Sequence, residues 1–155
     1  MKTEQTPVTG REEPQKLTAQ MRALSQFYRA LNTRNMELMA ETWAHTGEEV
    51  MDNPVGGIKR GWDEIRAVYE RVFGSPAPYR FEFWDYSYHE SGDIFYVVGR
   101  ERGEYTGRDG ALSLAIRTSR IFRRIDGTWR QVHHHGSFED PALLTAYVRA
   151  VSANA

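Results

Sequence analysis

Along this chain the apolar positions change their spacing twice, and each change marks a change of structure. From Leu17 they fall at Leu17, Met21, Leu24, Tyr28 and Leu31, three or four residues apart, which lays one stripe along a helix with Phe27 beside it. Asn35 is placed to cap a second, shorter helix carrying Met36, Met39 and Trp43. The stretch EEVMDNP then reads as a short strand, with a turn at Val55, Gly56 and Gly57. Asp63 and Glu64 suit the first turn of a third helix, whose apolar face is Ile65, Val68, Tyr69, Val72 and Phe73, and Gly74, Pro76 and Pro78 stop it. From Tyr79 the period becomes two. Strand-like runs cover Tyr79 to His89, Ile94 to Tyr105, Ala111 to Arg124 and Trp129 to Phe138, separated by the turn signals ESGD, TGRDG and IDGT. Asp140 as cap and Pro141 at the first helical position open a last helix carrying Leu143, Leu144, Tyr147, Val148 and Val151.

This order predicts one α+β domain over residues 16–155, its helices gathered on one face of an antiparallel meander. Residues 1–15 are polar, with Pro7, Gly10 and Pro14, and are expected to form a loose, disordered tail.

In the third long run the even positions, Leu112, Leu114, Ile116, Thr118, Arg120 and Phe122, form the heavier apolar face and are expected to look toward the helices. The register of the last run depends on its turn. A two-residue turn at Asp126 and Gly127 sets Arg120 opposite His133; a three-residue loop sets Thr118 opposite His134 and Arg120 opposite Val132. The second is the expectation adopted. It places Val132, His134 and Gly136 inside and Trp129, Gln131, His133, His135 and Ser137 outside, a mixed aromatic and polar set that suits a subunit interface.

Composition narrows the classes. With 155 residues and 40% hydrophobic content the chain can bury one core. Its formal net charge of −1, from 20 basic and 21 acidic residues, gives no field to attract nucleic acid or an anionic membrane. There is no cysteine, hence no disulfide and no thiolate chemistry, and no long apolar run, so a cytoplasmic location is the expectation.

Two stretches carry a family resemblance. RIFRRIDGTWRQVHHHGS resembles the closing hairpin of SnoaL-like proteins and of the association domain of calcium/calmodulin-dependent kinase II. ALNTRNMELMAETW, followed by MDNPVGG and RGWDEIRAVY, is similar to the same region of the ketosteroid isomerases. The chain is therefore identified as resembling the nuclear-transport-factor-2-like superfamily. That resemblance implies a cone-shaped, cystatin-like roll, a cavity between helices and curved sheet, and a homodimer through the sheet's outer face, where Trp129, His133 and His135 would lie. It also implies two losses. The isomerases' general-base aspartate falls at Asn53 and their oxyanion tyrosine at Phe27, and neither replacement can take over the proton or the donor. Inward arginines of the kinase association domain match Arg120 and Gly136, so one is kept and one lost.

The candidate site is then Arg120 and His134 as the catalytic pair, with Thr118, Glu101, Asn53 and Phe27 around it and Leu114, Ile116, Phe122 and Val132 as its apolar wall. Arg120 is expected to hold a carboxylate or enolate oxygen and His134, beside a carboxylate, to act as a base. The other reading of the same residues is that Arg120 and Glu101 neutralise each other and His134 is a satisfied wall residue. Asp52 points away from the site unless a bulge re-aims it. Of the three consecutive histidines only His133 and His135 share a face and no third ligand is placed, so no metal is expected, and no cofactor. A small organic ligand is the expected partner, with proton transfer beside a carbonyl, dehydration or hydrolysis as the reaction; a pure association module is the alternative.

Overall fold

The computed structural model of the chain describes residues 6–154. Helix α1 (Ala19–Thr33) starts where the Thr18 hydroxyl accepts from the Met21 amide, and α2 (Met36–Thr42) where Asn35 accepts from Leu38. A short hairpin, β1 (Val50–Asn53) and β2 (Gly57–Arg60), leads into α3 (Gly61–Gly74). Four long strands follow: β3 (Tyr79–Ser91), β4 (Ile94–Gly107), β5 (Gly110–Ile125) and β6 (Thr128–Phe138), and α4 (Pro141–Ala153) closes the chain.

The strands make one curved six-stranded sheet in the order β2-β1-β6-β5-β4-β3. The long strands form the expected meander. The short hairpin joins the same sheet, with β1 running parallel to β6, Met51 beside His134 and Asp52 beside His135. Alternation along β5 buries Leu114, Ile116, Thr118, Arg120 and Phe122 under the helices, against Leu24, Phe27 and Tyr28 of α1, Met39 of α2 and Ile65 and Tyr69 of α3.

The closing hairpin departs from the expected register. Asp126 and Gly127 both take positive φ, 50° and 80°, and form a two-residue turn that sets Ile125 opposite Thr128. A bulge then follows. Phe122 pairs with Gln131 and Ile121 with His133, leaving Val132 as the extra residue, so Arg120 faces His134 and Thr118 faces Gly136. The turn alone would have sent His133 inward; the bulge restores His134 to that position. Three expectations fail with the register, those for Val132, Gln131 and Trp129. Val132 sits half-buried in the bulge, its inner place taken by Gln131, and Trp129 turns inward, packing edge-on against buried Phe95.

The described part of the expected loose tail is instead a strap. Val8 is buried and exchanges both backbone hydrogen bonds with Phe83 at the outer edge of β3. Glu12 accepts from Thr9, Gly10 and Ser25, while Arg29 of α1 donates to the carbonyls of Gly10 and Glu12. The tail reading failed because it weighed apolar content alone; these residues are held by polar contacts to α1 and by one buried valine. Residues 1–5 lie outside the described residues.

Candidate functional site

The centre of the cone is filled by a polar cluster seated on β5. Arg120 is 1% exposed, and each of its three guanidinium nitrogens has a partner. Nε donates to the Tyr28 hydroxyl at 3.3 Å, Nη1 to Gln131 Oε1 at 3.0 Å and Nη2 to Glu101 Oε1, while the Phe27 ring lies under it with 3.5 Å from Cζ to the ring centroid. Tyr28 in turn donates to Glu101 at 3.0 Å. Burial pushes the Tyr28 hydroxyl well above its ordinary pKa, so it stays a proton donor. Burial works against the Arg120 charge, and its neighbours Tyr28, Glu101 and Tyr69 outweigh that and keep it protonated. Arg120 and Glu101 therefore neutralise each other, as the second reading of these residues expected.

His134 is different. It is 7% exposed, and neither ring nitrogen has a hydrogen-bond partner. Burial first, and the neighbouring Arg120 cation second, push its pKa well below the ordinary value, so the ring is neutral, with one nitrogen free to accept and one to donate. The ring borders Gly136, where a Cβ would lie 3.3 Å from His134 Nε2, 3.3 Å from Ile116 Cγ2 and 3.1 Å from Pro54 Cδ. Beyond Arg120, the Gln131 side-chain nitrogen is also buried without a partner, and the Trp43 indole N–H, turned toward Tyr69, closes no hydrogen bond of ordinary geometry. Four polar atoms on three buried side chains, Trp43, Gln131 and His134, are thus left without an ordinary hydrogen bond, and each calls for an explanation.

The remaining predicted residues fall as follows. Thr118 is buried beside the cluster but spends its hydroxyl on the Ile116 carbonyl at 3.2 Å. Leu114, Ile116 and Phe122 line the inner face. Asn53 ends β1, half-buried, two residues beyond inward-facing Met51, and Asp52 lies on the outer face with His135 at 3.4 Å. Tyr28, Gln131 and Trp43 were missed as site residues: Tyr28 and Trp43 read as apolar helix positions, and Gln131 was placed outside by the register. Among the described residues, no three His, Asp or Glu side chains converge as a metal site requires. Among the described residues, concavities open on the surface. One of about 400 Å³ on the convex face is bordered by Arg100, Arg117 and His135, and one of about 500 Å³ by Trp43, His45 and Arg130.

Among the described residues, no helix is long and apolar enough to cross a membrane. Comparison with known proteins places this architecture. Solved structures share the fold at low identity. A candidate calcium/calmodulin-dependent protein kinase type II association domain from Thiobacillus denitrificans is 24% identical, with a TM-score of 0.68 over 77% of this chain and 94% of its own. A candidate dehydratase of the NTF2-like family from Streptomyces avermitilis is 19% identical, with a TM-score of 0.68 over 75% and 90%. A candidate aromatic ring hydroxylase from Novosphingobium aromaticivorans is 19% identical, with a TM-score of 0.69 over 79% and 88%. No curated protein matches the chain. The SnoaL-like domain family matches residues 21–141, and the chain belongs to that family.

Proposed function

We propose that this SnoaL-like protein binds a small organic molecule between its helices and its sheet, against His134, and that the neutral imidazole exchanges a proton with it. One observation carries the reading: a histidine sealed from water with both ring nitrogens unpartnered. A buried polar atom without a partner costs about 1–3 kcal/mol, and a ligand oxygen that supplies the missing hydrogen bonds recovers it. Gln131 and Trp43 add two further donors, and Ile116, Leu114 and Phe122 give the apolar wall that most small-molecule sites have. Arg120, closed on its own partners, sets the local potential and holds Gln131, and Phe27 is its platform. Proton transfer beside a carbonyl, dehydration and hydrolysis all use such a base. The sharing of this fold by a candidate dehydratase, a candidate hydroxylase and candidate association domains leaves the choice to the site itself. The test is ligand-induced thermal stabilisation with a panel of small ketones, amides and enones. Wild type is expected to rise in Tm with at least one compound and His134→Leu not to; equal shifts in both would count against the assignment.

A second reading concerns assembly, and it is compatible with the first. On the convex face, Ile94, Tyr96 and Val98 of β4 and Ile58 of β2 are each more than two-fifths exposed, and they flank His133 and His135. An exposed apolar row of this kind marks a contact surface, and a second copy of the chain is the proposed occupant.

A further inference from the structure

The convex face, assigned above to a second copy of the chain, also carries three of the chain's five histidines, and the inference drawn from them rests on that assembly reading. Two rungs of side chains cross the sheet there. One sets Asp52 beside His135 and leads across β5 to Val98. The next sets Arg60, across Val50, in line with His133 and leads through Ile121 to Tyr96 and His89. Asp52 Oδ2 lies 3.4 Å from His135 Nδ1, and the His89 ring stacks on Tyr96 with 4.6 Å between centroids. At neutral pH the ionised groups on these rungs are Asp52 and Arg60, and they cancel. The charges around them are matched in pairs: Arg123 with Glu48, Arg124 with Asp93, Arg100 with Glu139 and Arg102 with Asp85. Arg117, one row further along β5, makes no ion pair among the described residues.

An apolar row bordered by charges that cancel is suited to lie against its own copy, since a one-signed face would meet its own sign across a twofold axis. We propose that acid switches this self-association off: the imidazoles of His133 and His135, joined by His89, gain charge as the pH falls, and the two copies come apart. Histidine is the side chain whose charge changes between about pH 5 and 8. Asp52 is the one carboxylate on the two rungs, so it offsets one imidazolium per copy and leaves the others, with Arg60, uncompensated. Each copy then presents the same sign to the other, in a contact where excluded water strengthens the repulsion. Burial already holds half-buried His133 below the ordinary histidine pKa, with His135 as the second cause. A second copy laid over it deepens that burial. The dimer therefore takes up protons less readily than the monomer, and falling pH favours the monomer.

The test is sedimentation of the full chain at about pH 7.5, 6.5 and 5.5, with far-UV circular dichroism at each pH to follow the fold. Wild type is expected to be dimeric at the highest pH, with a dimer dissociation constant that rises at least about tenfold toward the lowest. In His133→Gln/His135→Gln the rise should shrink to less than about threefold, and Asp52→Asn, which removes the offsetting charge, should come apart at a higher pH than wild type. A wild-type dimer whose dissociation constant stays the same across the series overturns the switch and leaves the self-association standing. A monomer throughout overturns both. An equal rise in wild type and in the double histidine variant overturns the assignment to these rings. If the double variant does not fold or pair at the highest pH, Asp52→Asn decides, and a midpoint no higher than that of wild type counts against the switch. If wild type loses its fold at the lowest pH, the two higher values decide.

Discussion

At the scale of single residues, the chemistry rests on the contrast between two side chains facing each other across β5 and β6. Arg120 has all its partners inside the protein, and His134 has none. The neutral His134 ring has a consequence for stability. Its folded pKa lies well below the ordinary value, so the unfolded chain binds a proton there before the folded one does. Stability is therefore undiminished above about pH 6.5 and falls as the pH drops below it, by up to about 1.4 kcal/mol per unit from this group. Half-buried His133, shifted the same way by burial and by His135, adds to the trend. Urea unfolding between pH 7 and pH 5 should show a slope that His134→Gln reduces by about one proton; parallel slopes for the two proteins would place a charged or solvated imidazole at this position. The inward direction of Arg120, Thr118 and the apolar wall was readable from alternation in the sequence. The partners that neutralise Arg120 were not, because Tyr28 completes an apolar helical stripe, and nothing in that stripe distinguishes a ring packed in the core from a hydroxyl aimed at a carboxylate.

At the scale of elements, the helices and long strands were legible because their periods are long and unbroken. The closing hairpin was not. Its turn has two residues, and the direction of His134 is set by the bulge at Val132 five residues from the turn, where a single extra residue reverses the facing of everything beyond it. No residue in the run Gln131 to His135 announces a bulge, so a right direction for His134 was reached through a wrong loop, and Trp129 and Val132 were misplaced with it. The N-terminal strap is the other element the pattern hid. Gly10 takes φ 82° and lies against α1 so closely that a Cβ would sit 2.3 Å from the Arg29 backbone nitrogen. Gly10→Ala must therefore both strain the backbone and push the strap off the helix, at a cost of about 2–3 kcal/mol. Thermal unfolding combined with limited proteolysis checks this: a lower Tm with new cleavage near the strap is expected, and an unchanged Tm would show the contact to be incidental.

At the scale of the whole molecule, the sheet divides the chain's tasks between its faces, a concave side that encloses the polar cluster and a convex side that leaves Tyr96 and Val98 in solvent. If the convex row joins two copies, sedimentation should report a dimer for wild type and a monomer for Val98→Glu, whose ligand affinity is unchanged because Val98 faces away from His134. A wild-type protein that stays monomeric at tens of micromolar would refute the self-association. The claim on which the functional reading turns is that the four orphaned atoms around Arg120 await a ligand, and a crystal structure grown with 4-bromoacetophenone tests it most directly. The predicted result is anomalous bromine density inside the cone, with the ketone oxygen in hydrogen-bond reach of His134, Gln131 or Trp43. Bromine found only in the convex concavity beside Arg100 and Arg117, or a fixed set of waters satisfying all four atoms with no ligand present, would contradict it.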